Sequence, residues 1–126
     1  MPLYFKFNTV SVEFTLSAQG ATGLAEALKV NSTLTVLNLA DNGTGDQGAT
    51  GLAEALKVNS TLTELNLEGS DTGDQGATSL AEALKVNSTL TVLDLRVNNI
   101  GEMVLSELLG LEHHDRVIIV KSTIVI

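Results

Sequence analysis

The stretch GATGLAEALKVNSTLTVLNLADNGTGDQ, Gly20 to Gln47, recurs twice more without a gap, from Gly48 to Gln75 and, more loosely, from Gly76 to Met103. A fixed period of 28 residues marks a stack in which each unit hides its apolar face only against its neighbours. Two periodicities alternate inside the unit. Around Leu24, Ala25 and Leu28 the apolar residues fall at helical spacing, with Glu26 and Lys29 on the outer side. The equivalents are Leu52, Ala53 and Leu56, then Leu80, Ala81 and Leu84. TLTVLNL follows, and its spacing predicts a short strand with Leu34, Leu37 and Leu39 inward, repeated as Leu62, Leu65, Leu67 and Leu90, Leu93, Leu95. Asn31, Asn59 and Asn87 are read as helix terminators, because Asn tolerates the left-handed conformation. Asp46 and Asp74 are read as caps for the helices that follow them.

The two ends depart from this pattern. In residues 1–19, Phe5, Phe7, Val10, Val12, Phe14 and Leu16 alternate with polar residues, which predicts one or two strands covering the open end of the first repeat. After Ile100, a helical stripe through Met103, Leu105, Leu108, Leu109 and Leu111 predicts a modified last helix. RVIIVKSTIVI, residues 116–126, is strongly β-forming. Ile118 stands one period after Leu90, so a further strand is expected there, with Lys121 and Thr123 where leucines belong. Apolar strands at the ends of an open sheet either cap the stack or join two chains edge to edge. Val117, Ile118, Ile119, Val120, Ile124 and Ile126 are therefore the candidate oligomerisation residues, and a homo-oligomer is expected.

Composition narrows the function classes. With 126 residues the chain reads as one domain, 1–126, divided into an N-terminal β cap (1–19), three repeats (20–103) and a terminal helix and β segment (104–126). Its net charge is -8, with fifteen acidic and seven basic residues and no basic cluster, which disfavours nucleic acid and anionic membrane as partners. Cysteine is absent, so disulfides and thiolate metal sites are excluded. No signal peptide or membrane span is legible, and a cytoplasmic location is the expectation.

The phrase LxxLxLxxN and the run LAEALKxNxTLTxLxL resemble the leucine-rich repeat family, and the 28-residue length is similar to its ribonuclease-inhibitor type, as in NOD-like receptors. The resemblance implies an α/β solenoid, a short horseshoe whose parallel strands line a concave sheet with helices outside and β-rich terminal segments. It also implies that Asn42 and Asn98 satisfy buried backbone groups after the strand. Ser70 replaces that Asn in the second copy. Ile100 matches the family's next apolar residue, whereas Thr44 and Thr72 do not.

Comparison among the copies points to a binding strip. Between Gly20–Leu39 and Gly48–Leu67 the one difference is Val36 against Glu64. Further differences gather just after the strands. Strand alternation sends Val36, Asn38, Ala40, Glu64, Asn66, Glu68, Val92, Asp94 and Arg96 outward, and these are the candidate partner-binding residues. Three or four strands ~4.8 Å apart make a strip ~15–20 Å wide. About a dozen side chains fall short of the ~20–30 residues a side of a standard interface, so one copy is expected to bind weakly.

Other motifs read more plainly as structure. Gly43-Thr44-Gly45-Asp46-Gln47-Gly48 matches a dinucleotide fingerprint, but the second copy lacks its first glycine and Asp46 would face the pyrophosphate with like charge. The acidic loops lack EF-hand spacing. Adjacent His113 and His114 on a helix point apart. No cofactor or metal is expected. Nor does any residue set suggest catalysis, so the reading is a non-enzymatic protein-interaction scaffold. The alternatives are a self-assembling structural unit and, behind it, a GTPase activator using Arg96.

Overall fold

The computed structural model describes residues 3–6, 9–12, 16–113 and 115–120, with side chains from Thr9 onward. The elements are β1 (Leu3–Lys6), β2 (Thr9–Val12), α1 (Ala18–Leu28), β3 (Val36–Asn38), α2 (Gly45–Leu56), β4 (Glu64–Asn66), α3 (Asp74–Leu84), β5 (Val92–Asp94), α4 (Glu102–Leu109) and β6 (Val117–Ile119). They form one six-stranded sheet in sequence order. The β1–β2 pair is antiparallel, and β2 to β6 are parallel. Strand and helix alternate as in an α/β leucine-rich repeat solenoid.

The core sits between sheet and helices. Leu37, Leu65 and Leu93 project from the strand centres, and Leu39, Leu67 and Leu95 follow them inward, all fully buried. From the other side come Leu52, Leu56, Leu80 and Leu84. Each such leucine contributes about 2 kcal/mol by leaving water. Small residues let the helices approach one another: Ala21, Ala25, Ala49, Ala53, Ala77 and Ala81 are buried. A Cβ added to Gly48 would meet the Ala21 Cβ at 2.9 Å, and one on Gly76 would meet that of Ala49 at 2.8 Å. Glycine in the first turn of α2 and of α3 therefore sets their spacing from the preceding helix.

Asparagine plays a different part from the one its position suggested. The helices end at Leu28, Leu56 and Leu84, and Lys29, Lys57 and Lys85 close them in right-handed conformation. Asn31, Asn59 and Asn87 are not left-handed; among the described non-glycine residues only Asp41, Asp71 and Val97 have positive φ. Asn59 and Asn87 are buried, and each bonds backward and locally. The Asn59 Nδ2 donates to the Leu28 and Asn31 carbonyls at 2.8 and 3.2 Å, while its Oδ1 accepts from the Thr61 and Leu62 amides. One repeat later, Asn87 donates to Leu56 and Asn59 and accepts from Thr89 and Leu90. These side chains form a ladder that ties each helix end to the next repeat.

Aspartate likewise acts between repeats. Asp46 lies in the first turn of α2, but its Oδ1 accepts from the Gly73 and Gly76 amides, each at 2.8 Å, at the start of α3. Asp74 similarly accepts from the Gly101 amide at 2.6 Å, ahead of α4. At α3 and α4 orphan donors are thus met by the preceding repeat, whereas α1 is capped by its own Ser17, whose Oγ accepts from the Gly20 amide.

After the strands, Asn42 and Asn98 do satisfy buried backbone. The Asn42 Nδ2 donates to the Val12 and Ala40 carbonyls, and its Oδ1 accepts from the Leu16 amide at 2.7 Å. Ser70 supplies the donor half of that role, through Oγ to the Leu39 and Glu68 carbonyls. Thr44 and Thr72, in the family's apolar position, are fully buried with hydroxyls that lack a hydrogen-bond partner.

Both ends correct the sequence reading. The N-terminal segment does more than cover the first repeat, because β2 is itself a parallel strand with Val10 paired to Leu37. At the other end Ile118 pairs with Leu93, not in the position of Leu90. The last unit is three residues short of a full period, which puts Val120, partly buried against the core, where Leu95 stands one strand earlier. The last helix also buries a different stripe. Leu108 is buried and Val104 and Leu111 pack on the core, whereas Met103 is 87% and Leu109 42% exposed, because among the described residues no further helix covers the outer side of α4.

Arg116 extends the ladder past the last repeat. Its buried guanidinium donates to the Leu84 carbonyl through Nη1 at 3.0 Å, to the Leu90 carbonyl through Nε at 2.9 Å, and to the Asn87 carbonyl through Nη2. The Leu84 and Asn87 carbonyls correspond to those that Asn87 meets one repeat earlier. An arginine takes the place of the next asparagine in the ladder.

Candidate protein-binding face

The helices cover one face of the sheet and leave the other open. Strand register aligns the outward residues of that open face in rows: Thr9, Val36, Glu64, Val92 and Val117 in the first, and Ser11, Asn38, Asn66, Asp94 and Ile119 in the second. Ala40, Glu68 and Arg96 follow where the strands end. A depression of about 200 Å³ lies at the centre, lined by Val36, Asn38, Glu64, Asn66, Val92 and Asp94 together with Leu37 and Leu65.

Side chains of the second row are half committed to the backbone. Asn38 accepts from the Ala40 amide, Asn66 from Glu68 and Asp94 from Arg96, each bracing the exit of its strand. Asp94 also holds Arg96 through a bidentate pair, Nε and Nη2 lying 2.7–3.1 Å from its carboxylate oxygens. Glu68 stands 3.5 Å from the same guanidinium. The hydrogen-bonded Asp94 carboxylate, reinforced by Glu68, raises the Arg96 pKa above its ordinary value. This cation is neutralised within the chain, and its planar donors are already directed at Asp94.

All nine strip residues expected from alternation fall on or beside this face, with Asp94 buried beneath Arg96. Thr9, Ser11, Val117 and Ile119 complete it and were missed. Their signal was a repeat spacing of 27 residues from Val10 to Leu37 and 25 from Leu93 to Ile118, where a strict 28 was sought. Of the oligomerisation candidates, Ile118 is buried in the chain's own core, and Val117, 51% exposed, lies on the open face beside Ile119. Ile124 and Ile126 lie outside the described residues. Beyond the strands, Asp41, Gly69 and Val97 occupy equivalent turn positions with φ of 59°, 62° and 57°. Val97 is 74% exposed, so a β-branched residue is held left-handed at the rim of the face.

The leucine-rich repeat family matches residues 30–53, 58–81 and 86–102, more than half of the chain. The chain belongs to the leucine-rich repeat family. Among solved structures it is similar to leiomodin-1 actin-binding site 2, with a TM-score of 0.79 and 26% identity over 91% of this chain and 70% of that one. No curated protein sequence matches it. Among the described residues no helix is long and apolar enough to cross a membrane.

Proposed function

We propose that this leucine-rich repeat chain is a non-enzymatic interaction module that binds a protein partner on its open sheet face. The observation that carries the reading is where the repeats differ. Their leucines, alanines and asparagine ladder are nearly invariant, whereas Val36, Glu64 and Val92 share one place on the face, and Ala40, Glu68 and Arg96 another. A surface that varies on an invariant frame is suited to recognition. The GTPase-activator alternative loses support because Arg96 is engaged by Asp94.

Actin is the first defined partner to test, because the similar leiomodin-1 structure is an actin-binding site. Affinity capture with purified monomeric and filamentous actin, followed by unbiased capture, would compare the native chain with a Val36→Asn/Val92→Asn variant. That variant changes the face without changing charge. Loss of a captured partner is expected; partners retained at native strength would sink the reading. A second reading, a homo-oligomer joined through terminal strands, is favoured by β6, which is paired in this chain on its β5 side alone among the described strands. Light scattering over a concentration series separates the two, since a monomer mass at every concentration leaves only the first.

A further inference from the structure

The open face is graded in chemistry from one flank to the other. Along the first row, Val36, Val92 and Val117 are aliphatic and interrupted only by Glu64 among the repeat positions. At the opposite flank, where the strands exit, stand Glu68 and the rim residues Asp41 and Asp71. Arg96 is the one cation described there, and Asp94 and Glu68 neutralise it. Lys29, Lys57 and Lys85 belong to the helices and pair with Glu26, Glu54 and Glu82, while Arg116 is buried. Among the described side chains, the face therefore offers carboxylates and aliphatic groups but no unpaired cation.

Resting on the reading that this face binds a protein, we propose that its occupant is a cationic amphipathic helix of the partner, lying across the strands. Its Lys or Arg side chains face Glu68 and Asp71 at the strand-exit flank and reach Glu64 where it interrupts the first row, and its aliphatic side faces Val92 and Val117. The dimensions agree: five parallel strands ~4.8 Å apart span ~19 Å, the length of ~13 helical residues at ~1.5 Å each. A helix of that length offers too little contact for tight binding by area alone, so charge complementarity sets both the encounter rate and the choice of partner. Acidic partners are repelled by the face and by the chain's net charge of -8.

The test titrates the full chain with two synthetic 14-residue amphipathic helical peptides, one Lys/Leu and one Glu/Leu, by fluorescence anisotropy at low and at physiological salt. The Lys/Leu peptide should bind and weaken as salt rises, and the Glu/Leu peptide should not bind. Glu64→Lys/Glu68→Lys should weaken the Lys/Leu peptide by roughly tenfold or more. Glu26→Lys/Glu54→Lys makes the same change in net charge on the outer helices and should leave most of the affinity. Circular dichroism and urea unfolding of both variants exclude misfolding as the cause. No binding of the Lys/Leu peptide at low salt, or equal weakening by both variants, overturns the proposal. If a partner is still lost with Val36→Asn/Val92→Asn, the binding face stands and only the cationic occupant falls. If that variant too retains every partner, both fall.

Discussion

The interior of the stack and its C-terminal end meet the same backbone groups with different side chains. Inside, Asn59 and Asn87 donate to the carbonyls of the preceding repeat and accept from the amides of their own turn. At the end, Arg116 donates to three carbonyls through a group with no acceptor. The difference follows from what lies ahead. An interior residue must connect one repeat and shape the next, and an amide has both polarities. Arg116 leads directly into β6 with no turn of its own to brace, and needs only to satisfy the carbonyls that the last full repeat leaves open, for which five fixed donors are better suited. Burial lowers the Arg116 pKa, yet an arginine keeps its charge, and the carbonyls at the α3 C-terminus form the negative end of the helix dipole.

Removing the terminal group is the strongest way to break this comparison. Arg116→Ala leaves three carbonyls without their donor and a void beside α3, and should lower stability by about 3 kcal/mol in urea unfolding. Arg116→Lys should recover only part, because one ammonium cannot reproduce the guanidinium fork. If Arg116→Ala unfolds like the native chain, this residue does not extend the ladder. Within the ladder the contrast is sharper still. Asn59→Ala or Asn87→Ala should each cost about 2 kcal/mol, whereas Asn31→Ala, at an exposed site whose bonds among the described residues reach its own turn at Thr33 and Leu34, should cost less than about 1 kcal/mol. Equal losses at all three would show that the local turn, and not the link between repeats, carries the energy.

Two smaller effects run in the stabilising direction. Thr72→Val removes a buried hydroxyl that has no partner at nearly constant shape, and should raise stability by about 1 kcal/mol. Val97→Asn replaces a β-branched residue at φ 57° by one that tolerates this conformation, as Asp41 does two repeats earlier. A gain of up to about 1 kcal/mol is expected, read as a higher thermal midpoint. A loss at Val97 would mean that its side chain makes contacts worth more than the strain.

Much of the fold was legible because the stacking contacts are periodic. Leu65 and Leu93 face inward for the same reason as Leu37, so one unit read correctly gives the others. The open face was legible as far as alternation reaches, from Val36 to Arg96. Its two outer strands were expected, but their place on this face was not, since their repeats are shortened and a strict period placed Ile118 against Leu90 instead of Leu93. Met103 and Leu109 show the matching error for helices. A stripe counts as buried only if a neighbour covers it, and the outer side of α4 has none among the described residues.

The sequence by itself determined the period, the alternation of helix and strand, the leucines and alanines that fill the core, and the strip on which the repeats differ. These depend on neighbours along the chain or one identical unit away. Only the tertiary structure decided that Asp46, itself in α2, caps α3 of the next repeat, that the asparagines tie carbonyls across repeats, that Arg116 takes the next place in the ladder, and that Arg96 is neutralised where it stands. The physical reason is that polar groups are satisfied by whichever partner lies within about 3 Å. Across a stack that partner comes from another turn of the solenoid, and at its end from a residue with no counterpart in the repeat.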